Sequence, residues 1–256
     1  MTKPRLDQLL IERGLAESRA RAQALILAGR VFSGERRLDK PGQAVATDIE
    51  LCVRTPGPAY ASRGGIKLAH GLDHFGIDPA GSVALDVGAS TGGFTDVLLR
   101  RGAARVHAVD VGHGQLNWRL RNDPRVVVLE RTNVRDLTRE HVPEAIDLVV
   151  CDVSFISLEL ALPAALALAG RNARVVALIK PQFEVGKGQV GKGGVVRDPA
   201  LHEAVCARIA RWLSEQGWQV LGVTASPITG PKGNREFLIA ARRSEKSALA
   251  KGDASV

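Results

Sequence analysis

Four polar residues stand where apolar segments give way to polar ones: Lys67, Asp152, Lys180 and Glu236. Asp152 closes the apolar run DLVVCD, Lys180 follows RVVALI, and Glu236 opens the run EFLIA. Lys67 falls in the first turn of a helix expected to run through Phe75, where a cation opposes the helix dipole. Two ammonium and two carboxylate groups can hold, accept or return a proton at a bound substrate. In an open α/β sheet the ligand crevice lies beyond the carboxyl ends of the strands, so Asp152 and Lys180 are aimed at one place.

A second cluster would bind a ligand. The stretch LDVGASTGGFTDVLLRRG predicts the end of a buried strand, a tight turn over Gly88–Gly93, and a helix from Phe94 to its stop at Gly102. Strand, glycine turn and helix open a nucleotide-binding βαβ unit, in which backbone N–H groups meet the ligand closely. A second strand, RVHAVD, ends in Asp110, 24 residues after Asp86, where a carboxylate accepts from ribose hydroxyls. NAD and S-adenosyl-L-methionine both fit that frame. A dinucleotide fingerprint reads G-x-G-x-x-G, whereas this turn reads D-x-G-x-x-x-G-G. Asp86 sits badly beside a pyrophosphate but well beside the amino group and sulfonium of S-adenosylmethionine. The expected cofactor residues are Asp86, Gly88, Ser90, Thr91, Gly92, Gly93, Phe94, Asp110, Val111 and Asn133, the last through its amide at an adenine edge.

The elements that must position these groups alternate along the chain. Strands are expected over Arg105–Asp110, Val126–Leu129, Asp147–Asp152, Arg174–Ile179, Trp218–Val223 and Asn234–Ala240, with an amphipathic helix over Pro199–Glu215. The fold class is therefore α/β: a Rossmann-like sheet preceded by a small α+β module. The glycine-rich run Gln182–Asp198, which includes Lys187, reads equally as a lid or RNA-contacting loop and as a plain disordered loop. Cys151 alternates with Asp152 and so belongs to the opposite, packed face of its strand. His70 and His74 lie one helical turn apart without a third ligand nearby, so no metal site is expected.

Residues 1–55 have another texture. Leu6, Leu9 and Leu10 predict a short helix stopped by Gly14; Ser18 caps a second, with Ala22, Leu25 and Ile26 inward and Gly29 as its stop. Small strands are expected at Arg30–Phe32 and Ile49–Val53. Arg19, Arg21, Arg30, Arg36, Arg37 and Lys40 gather around the second helix, as an anion-binding face or equally as a solvated one. The run TPGP marks a boundary, giving a module at 1–55, a linker at 56–62, a catalytic domain at 63–241 and a polar tail at 242–256.

At 256 residues with a formal net charge of +8, the chain suits a polyanionic partner. It has no apolar run of membrane-spanning length and no signal peptide at Met1, and its three cysteines, Cys52, Cys151 and Cys206, lack metal or disulfide spacing. These features point to a reducing cytoplasm and no membrane partner.

Two resemblances sharpen the reading. The motifs RGLAxSRxxA, LIxxGxV and KPG resemble the small RNA-binding fold shared by ribosomal protein S-four and several pseudouridine synthases. That likeness implies RNA contacts at Arg5, Arg19, Arg21, Arg30 and Lys40, with Arg63 and Lys187 adding to them from the catalytic domain. DVGASTGGFT resembles the opening motif of the FtsJ/RrmJ ribose methyltransferases, whose Lys–Asp–Lys–Glu set matches Lys67, Asp152, Lys180 and Glu236. In order, YASRGGIKL, DVGASTGGFTD, DVGHGQL, CDVSFIS, LIKPQFE and GNREFL are similar to the TlyA family of bacterial ribosomal-RNA 2′-O-methyltransferases, some of which carry a haemolysin name. Thr91 departs from the proline usual in the shorter FtsJ relatives, and the TPGPAY linker differs from that of some TlyA members. The resemblance implies methyl transfer from S-adenosylmethionine to a cytidine 2′-hydroxyl in rRNA or ribosomal subunits. Lys180 would be the general base, Lys67 the neighbouring cation, and Asp152 and Glu236 their partners; a monomer without an obligate protein partner would suffice. The readings weighed against it are base-amino methylation, suggested by a loose likeness of Asp152–Phe155 to D-P-P-Y, a pore-forming haemolysin, and an RNA-binding factor on an inactive methyltransferase fold.

Overall fold

The computed structural model describes residues 3–53, 60–186 and 188–243. The chain divides into two compact units, 1–57 and 58–256. Most of the expected linker, the tail from residue 244 onward and Lys187 lie outside the described residues. Tyr60, Ala61 and Ser62, expected in the linker, belong to the second unit: the Ala61 N–H donates to Asp96 Oδ2 at 2.8 Å, and the Ser62 hydroxyl accepts from the Gly64 N–H at 3.2 Å.

In the first unit α1 (Leu6–Glu12) and α2 (Arg19–Leu27) pack on a three-stranded antiparallel sheet, β2-β1-β3, of β1 (Val31–Ser33), β2 (Arg36–Arg37) and β3 (Cys52–Val53). Ser18 caps α2 through the Arg21 N–H. Leu6, Leu10, Ala22, Ile26 and Val31 fill the small core. Two of its strands start later than their apolar runs suggest: the central β1 at Val31 rather than Arg30, and the outer β3 at Cys52 rather than Ile49. One carboxylate is fully buried there. Asp7 accepts from Arg5 Nε and Nη2 at 3.0 Å each, from Gln23 Nε2 at 3.1 Å and from Arg19 Nε at 3.3 Å. Hydrogen bonding from Arg5 above all holds its carboxyl well below the usual range, against the opposing effect of burial.

The second unit is a seven-stranded sheet ordered β6-β5-β4-β7-β8-β10-β9. β4 (Val83–Val87), β5 (Arg105–Val109), β6 (Val126–Leu129), β7 (Ile146–Cys151) and β8 (Ala169–Ile179) are parallel to their neighbours. β10 (Phe237–Arg243) runs antiparallel between β8 and β9 (Trp218–Ala225). Leu148 and Val150 pack with α3 (Gly64–Phe75) and α4 (Gly93–Arg100) on one face. Val149 and Cys151 pack with α6 (Leu158–Ala167) and α8 (Pro199–Glu215) on the other. A four-residue α5 (Trp118–Arg121) precedes β6, and a short α7 (Pro181–Glu184) follows β8. The chain order reverses between β4 and β7, which opens the crevice at their carboxyl ends.

Several bounds differ from the sequence reading. β8 starts at Ala169 rather than Arg174, with a register shift against β7, and β9 continues to Ala225. β10 starts at Phe237, so Glu236 stands just before its strand, and Arg242 and Arg243 belong to the strand rather than to a frayed tail. The helix α6 has no counterpart in that reading. Its sequence LELALPAALA is apolar on nearly every side and contains Pro163, so it offers no amphipathic period. Tertiary contacts stabilise its start: Ser157 caps it, and buried Glu184 accepts from the Ser157 hydroxyl and the Leu158 N–H, both at 2.8 Å.

Candidate active site

The strand ends and the start of α3 enclose a cavity of about 830 Å³. Lys67, Asp152, Lys180 and Glu236 all line it, as do Gly88, Ser90, Thr91, Gly93, Phe94 and Arg63. Its construction follows from close backbone packing. A Cβ on Gly65 would overlap the Tyr60 side chain at 2.4 Å, and one on Gly93 would meet Ser62 Oγ at 2.1 Å. The segment YASRGG is thereby locked against the glycine turn, which sets α3, and Lys67 on it, beside the ends of β4 and β7. Gly64 leaves room for Asp152 Oδ2, which lies 3.4 Å from the position of its missing Cβ.

The four polar residues form two ion pairs. Lys67 Nζ lies 2.5 Å from Glu236 Oε2, with both side chains buried. Lys180 Nζ lies 2.6 Å from Asp152 Oδ1 and donates to Ser154 Oγ at 2.9 Å. Glu236 reaches Lys67 because residue 230 is glycine; a Cβ there would stand 2.1 Å from Glu236 Oε1. Its sequence neighbour Asn234 is also buried. Asn234 Oδ1 accepts from the Val196 N–H at 3.1 Å and Nδ2 donates to the Gly194 carbonyl at 2.9 Å, which ties the glycine-rich loop to the approach of β10. The loop is thus anchored at this point.

The expected cofactor residues divide. Gly88, Ser90, Thr91, Gly93 and Phe94 line the cavity, whereas Asp86, Gly92, Asp110, Val111 and Asn133 do not. Asp86 is fully buried under the turn. The Thr95 hydroxyl donates to its Oδ2 at 2.6 Å, and its Oδ1 has no partner among the described residues. Burial pushes Asp86 up to about 7 against the Thr95 hydrogen bond, with Asp152 and Asp110 adding repulsion. Asp110 accepts from the Ser90 N–H at 2.8 Å and the Gly112 N–H at 2.7 Å, so it shapes the turn directly. Asn133 Oδ1 accepts from the Arg135 N–H and starts a 3-10 turn, and Val111 is exposed. The glycines serve the protein's own packing, not only a ligand: Gly88 (φ 83°) and Gly92 (φ 92°) both take left-handed backbone, and a Cβ on Gly92 would meet Leu120 at 2.3 Å.

Arg5 and Arg19 share Asp7 and keep exposed edges, while Arg21 and Lys40 are exposed and Arg30 half-buried. Arg63 donates to the Thr229 carbonyl at 3.1 Å at the cavity rim. Cys151 is fully buried and burial pushes its thiol far up, so it is no nucleophile. His70 and His74 stack on one another, and among the described residues no three or more metal-binding side chains converge. Sequence reasoning missed Ser154 and the anchoring role of Asn234, although both stand inside motifs quoted above, CDVSFIS and GNREFL.

Residues 60–243 match the FtsJ-like methyltransferase family model and residues 4–48 the S4 domain model. The 16S/23S rRNA (cytidine-2′-O)-methyltransferase TlyA of Mycobacterium tuberculosis is 54% identical over 98% of this chain and 94% of its own. Hemolysin A of Brachyspira hyodysenteriae is 43% identical over 91% and 98%. A solved Streptococcus thermophilus structure that carries a hemolysin name aligns with a TM-score of 0.71 at 41% identity, covering 96% of this chain and 90% of that one. Among the described residues no helix is long and apolar enough to cross a membrane. The paired lysines and carboxylates, the glycine turn and these relatives together place the chain in the TlyA family of FtsJ-like methyltransferases.

Proposed function

We propose that this chain transfers a methyl group from S-adenosyl-L-methionine to the 2′-hydroxyl of a cytidine in ribosomal RNA, 16S, 23S or both, with Lys180 as general base. The observation that carries this reading is the double pairing Lys180–Asp152 and Lys67–Glu236 along one cavity beside the glycine turn. Relatives named as rRNA cytidine-2′-O-methyltransferases in Mycobacterium tuberculosis and Campylobacter jejuni support the substrate.

S-adenosylmethionine, when bound, supplies an electrophilic methyl carbon on a positively charged sulfur. The residues present fit it. The turn Gly88–Phe94 walls the cavity, and Asp86 keeps a buried oxygen without a partner for the amino group. Asp110 has used two of its roughly four acceptor positions, which leaves others for ribose hydroxyls.

A ribose hydroxyl is a weak acid and must lose its proton as its oxygen attacks. After giving up its own proton to solvent, Lys180 Nζ as the neutral amine takes that proton from the 2′-oxygen, and Asp152 stabilises the ammonium that forms. Lys67, held by Glu236, remains a cation that draws a phosphate or hydroxyl oxygen into line. Alignment of hydroxyl oxygen and methyl carbon supplies most of the rate. Arg63 at the rim, and Arg5, Arg19, Arg21, Arg30 and Lys40 on the first unit, contact phosphates, which position RNA without reading its sequence. Lys187 would add a contact from the loop. A monomer acting on rRNA or a ribosomal subunit in the cytoplasm completes the account.

Mapping 2′-O-methyl groups on rRNA from cells with and without the gene tests this. One or more cytidine positions losing the mark supports the reading, and an unchanged map sinks it.

A further inference from the structure

Lys180 has two partners, and only one of them is a carboxylate. Its Nζ lies 2.6 Å from Asp152 Oδ1 and 2.9 Å from Ser154 Oγ. Asp152 Oδ1 is buried, lies within ion-pair range of Lys180 and has no hydrogen-bond partner among the described residues, whereas Ser154, exposed at the cavity wall, accepts a hydrogen bond from Lys180 Nζ. The Ser154 hydroxyl is brought back toward Lys180 by the turn after β7, in which Phe155 takes φ 66°, a left-handed conformation strained for a non-glycine residue. A surface turn with no task beyond connection would relax that strain by accepting glycine or asparagine.

We infer that Ser154 is a positioning residue that orients the Lys180 amine toward the substrate hydroxyl. The inference rests on Lys180 being the base. A neutral amine carries two N–H groups and one lone pair, arranged tetrahedrally. With Asp152 as its only acceptor, the amine turns about its Cε–Nζ bond and the lone pair samples two directions. With Ser154 accepting one N–H and the Asp152 carboxylate drawing the other to its side by charge, the lone pair has one direction left, into the cavity. The charged groups that line the cavity with Lys180 are Asp152 at the end of β7, the Lys67–Glu236 pair from α3 and the approach to β10, and Arg63 and Lys232.

The test is kinetic, on the full chain with rRNA or ribosomal subunits. Ser154→Ala is expected to lower kcat about tenfold, as lost alignment does. KM for RNA and the affinity for S-adenosylmethionine should stay unchanged. Ser154→Thr, which keeps the hydroxyl, is expected to restore kcat. An unchanged kcat in Ser154→Ala overturns the inference, as does a raised KM with unchanged kcat, which would make Ser154 an RNA contact. If Ser154→Ala does not fold, the comparison passes to Ser154→Cys, a weak acceptor, against Ser154→Thr with the same expected contrast. Lys180→Ala separates the layers: an active Lys180→Ala removes the base reading and this inference together. An inactive Lys180→Ala beside an unaffected Ser154→Ala removes this inference alone.

Discussion

The backbone carbonyl of Asp152 lies 2.8 Å from the point where a Cβ on Gly88 would stand. The turn that walls the cavity and the strand end that carries Asp152 are therefore in direct backbone contact, closer than any side chain permits. Asp152 N–H also donates to the Val87 carbonyl at 2.9 Å, so the two strand ends are hydrogen-bonded as well as packed. A shift of one moves the other.

Gly88→Ala is expected to damage both functions at once. The new methyl group meets that carbonyl and Val153 Cγ1 at 3.2 Å, at a φ of 83° that alanine rarely adopts. Thermal and chemical denaturation should show a loss of about 1–3 kcal/mol, and calorimetry a weakened S-adenosylmethionine affinity. Unaltered cofactor binding would mean that the turn adapts without moving.

Removing one member of the buried pair should cost more than replacing both. Glu236→Ala leaves the Lys67 ammonium buried without its partner, a loss of about 3–5 kcal/mol. The double variant Lys67→Met, Glu236→Leu should recover much of that stability while staying inactive. Denaturant unfolding of the single and double variants reads the difference.

Asp86 makes stability fall as pH rises. Its folded value stands near 7, because burial outweighs the Thr95 hydrogen bond, while the unfolded chain ionises near 3.8. The folded state thus holds the extra proton between those values. Its contribution is fully present below the lower value and lost as pH rises through the upper one. Asp86→Asn should flatten this part of the stability–pH curve, measured by denaturant unfolding between pH 4 and pH 8.

Asp7 should matter to RNA affinity without touching RNA. It fixes Arg5 and Arg19 together, and Gly42 clears space for the Arg5 guanidinium, whose Nη1 lies 3.0 Å from the position of the absent Cβ. Asp7→Asn is expected to weaken rRNA binding and make the slope of log affinity against log salt shallower, because the arginines no longer act as a fixed pair. An unchanged salt slope would assign Asp7 to folding alone.

Much of the site was legible because its residues announce themselves in one dimension. An apolar run that ends in a lone charge, as at Asp152 and Lys180, needs no tertiary knowledge to be placed at a strand terminus. The two faces of β7 were equally legible from alternation, which put Cys151 in the core. What was hidden depends on distant partners. Ser154 acquires meaning only from Lys180, 26 residues later in the chain, and Asn234 only from the loop it anchors. The helix α6 was hidden for a different reason: burial on nearly all sides erases the period by which a helix is recognised. Asp86 and Asp110 were placed at the right strand ends, but the hydrogen bonds of Thr95, Ser90 and Gly112 to them were not visible in spacing.

The measurement closest to the central claim is methyl transfer from labelled S-adenosylmethionine to rRNA by the wild-type chain and by Lys180→Ala, with the product digested to nucleosides. The account predicts label in 2′-O-methylcytidine from the wild type, and from Lys180→Ala no label despite retained S-adenosylmethionine binding. Label on a base, or an active Lys180→Ala, would contradict it.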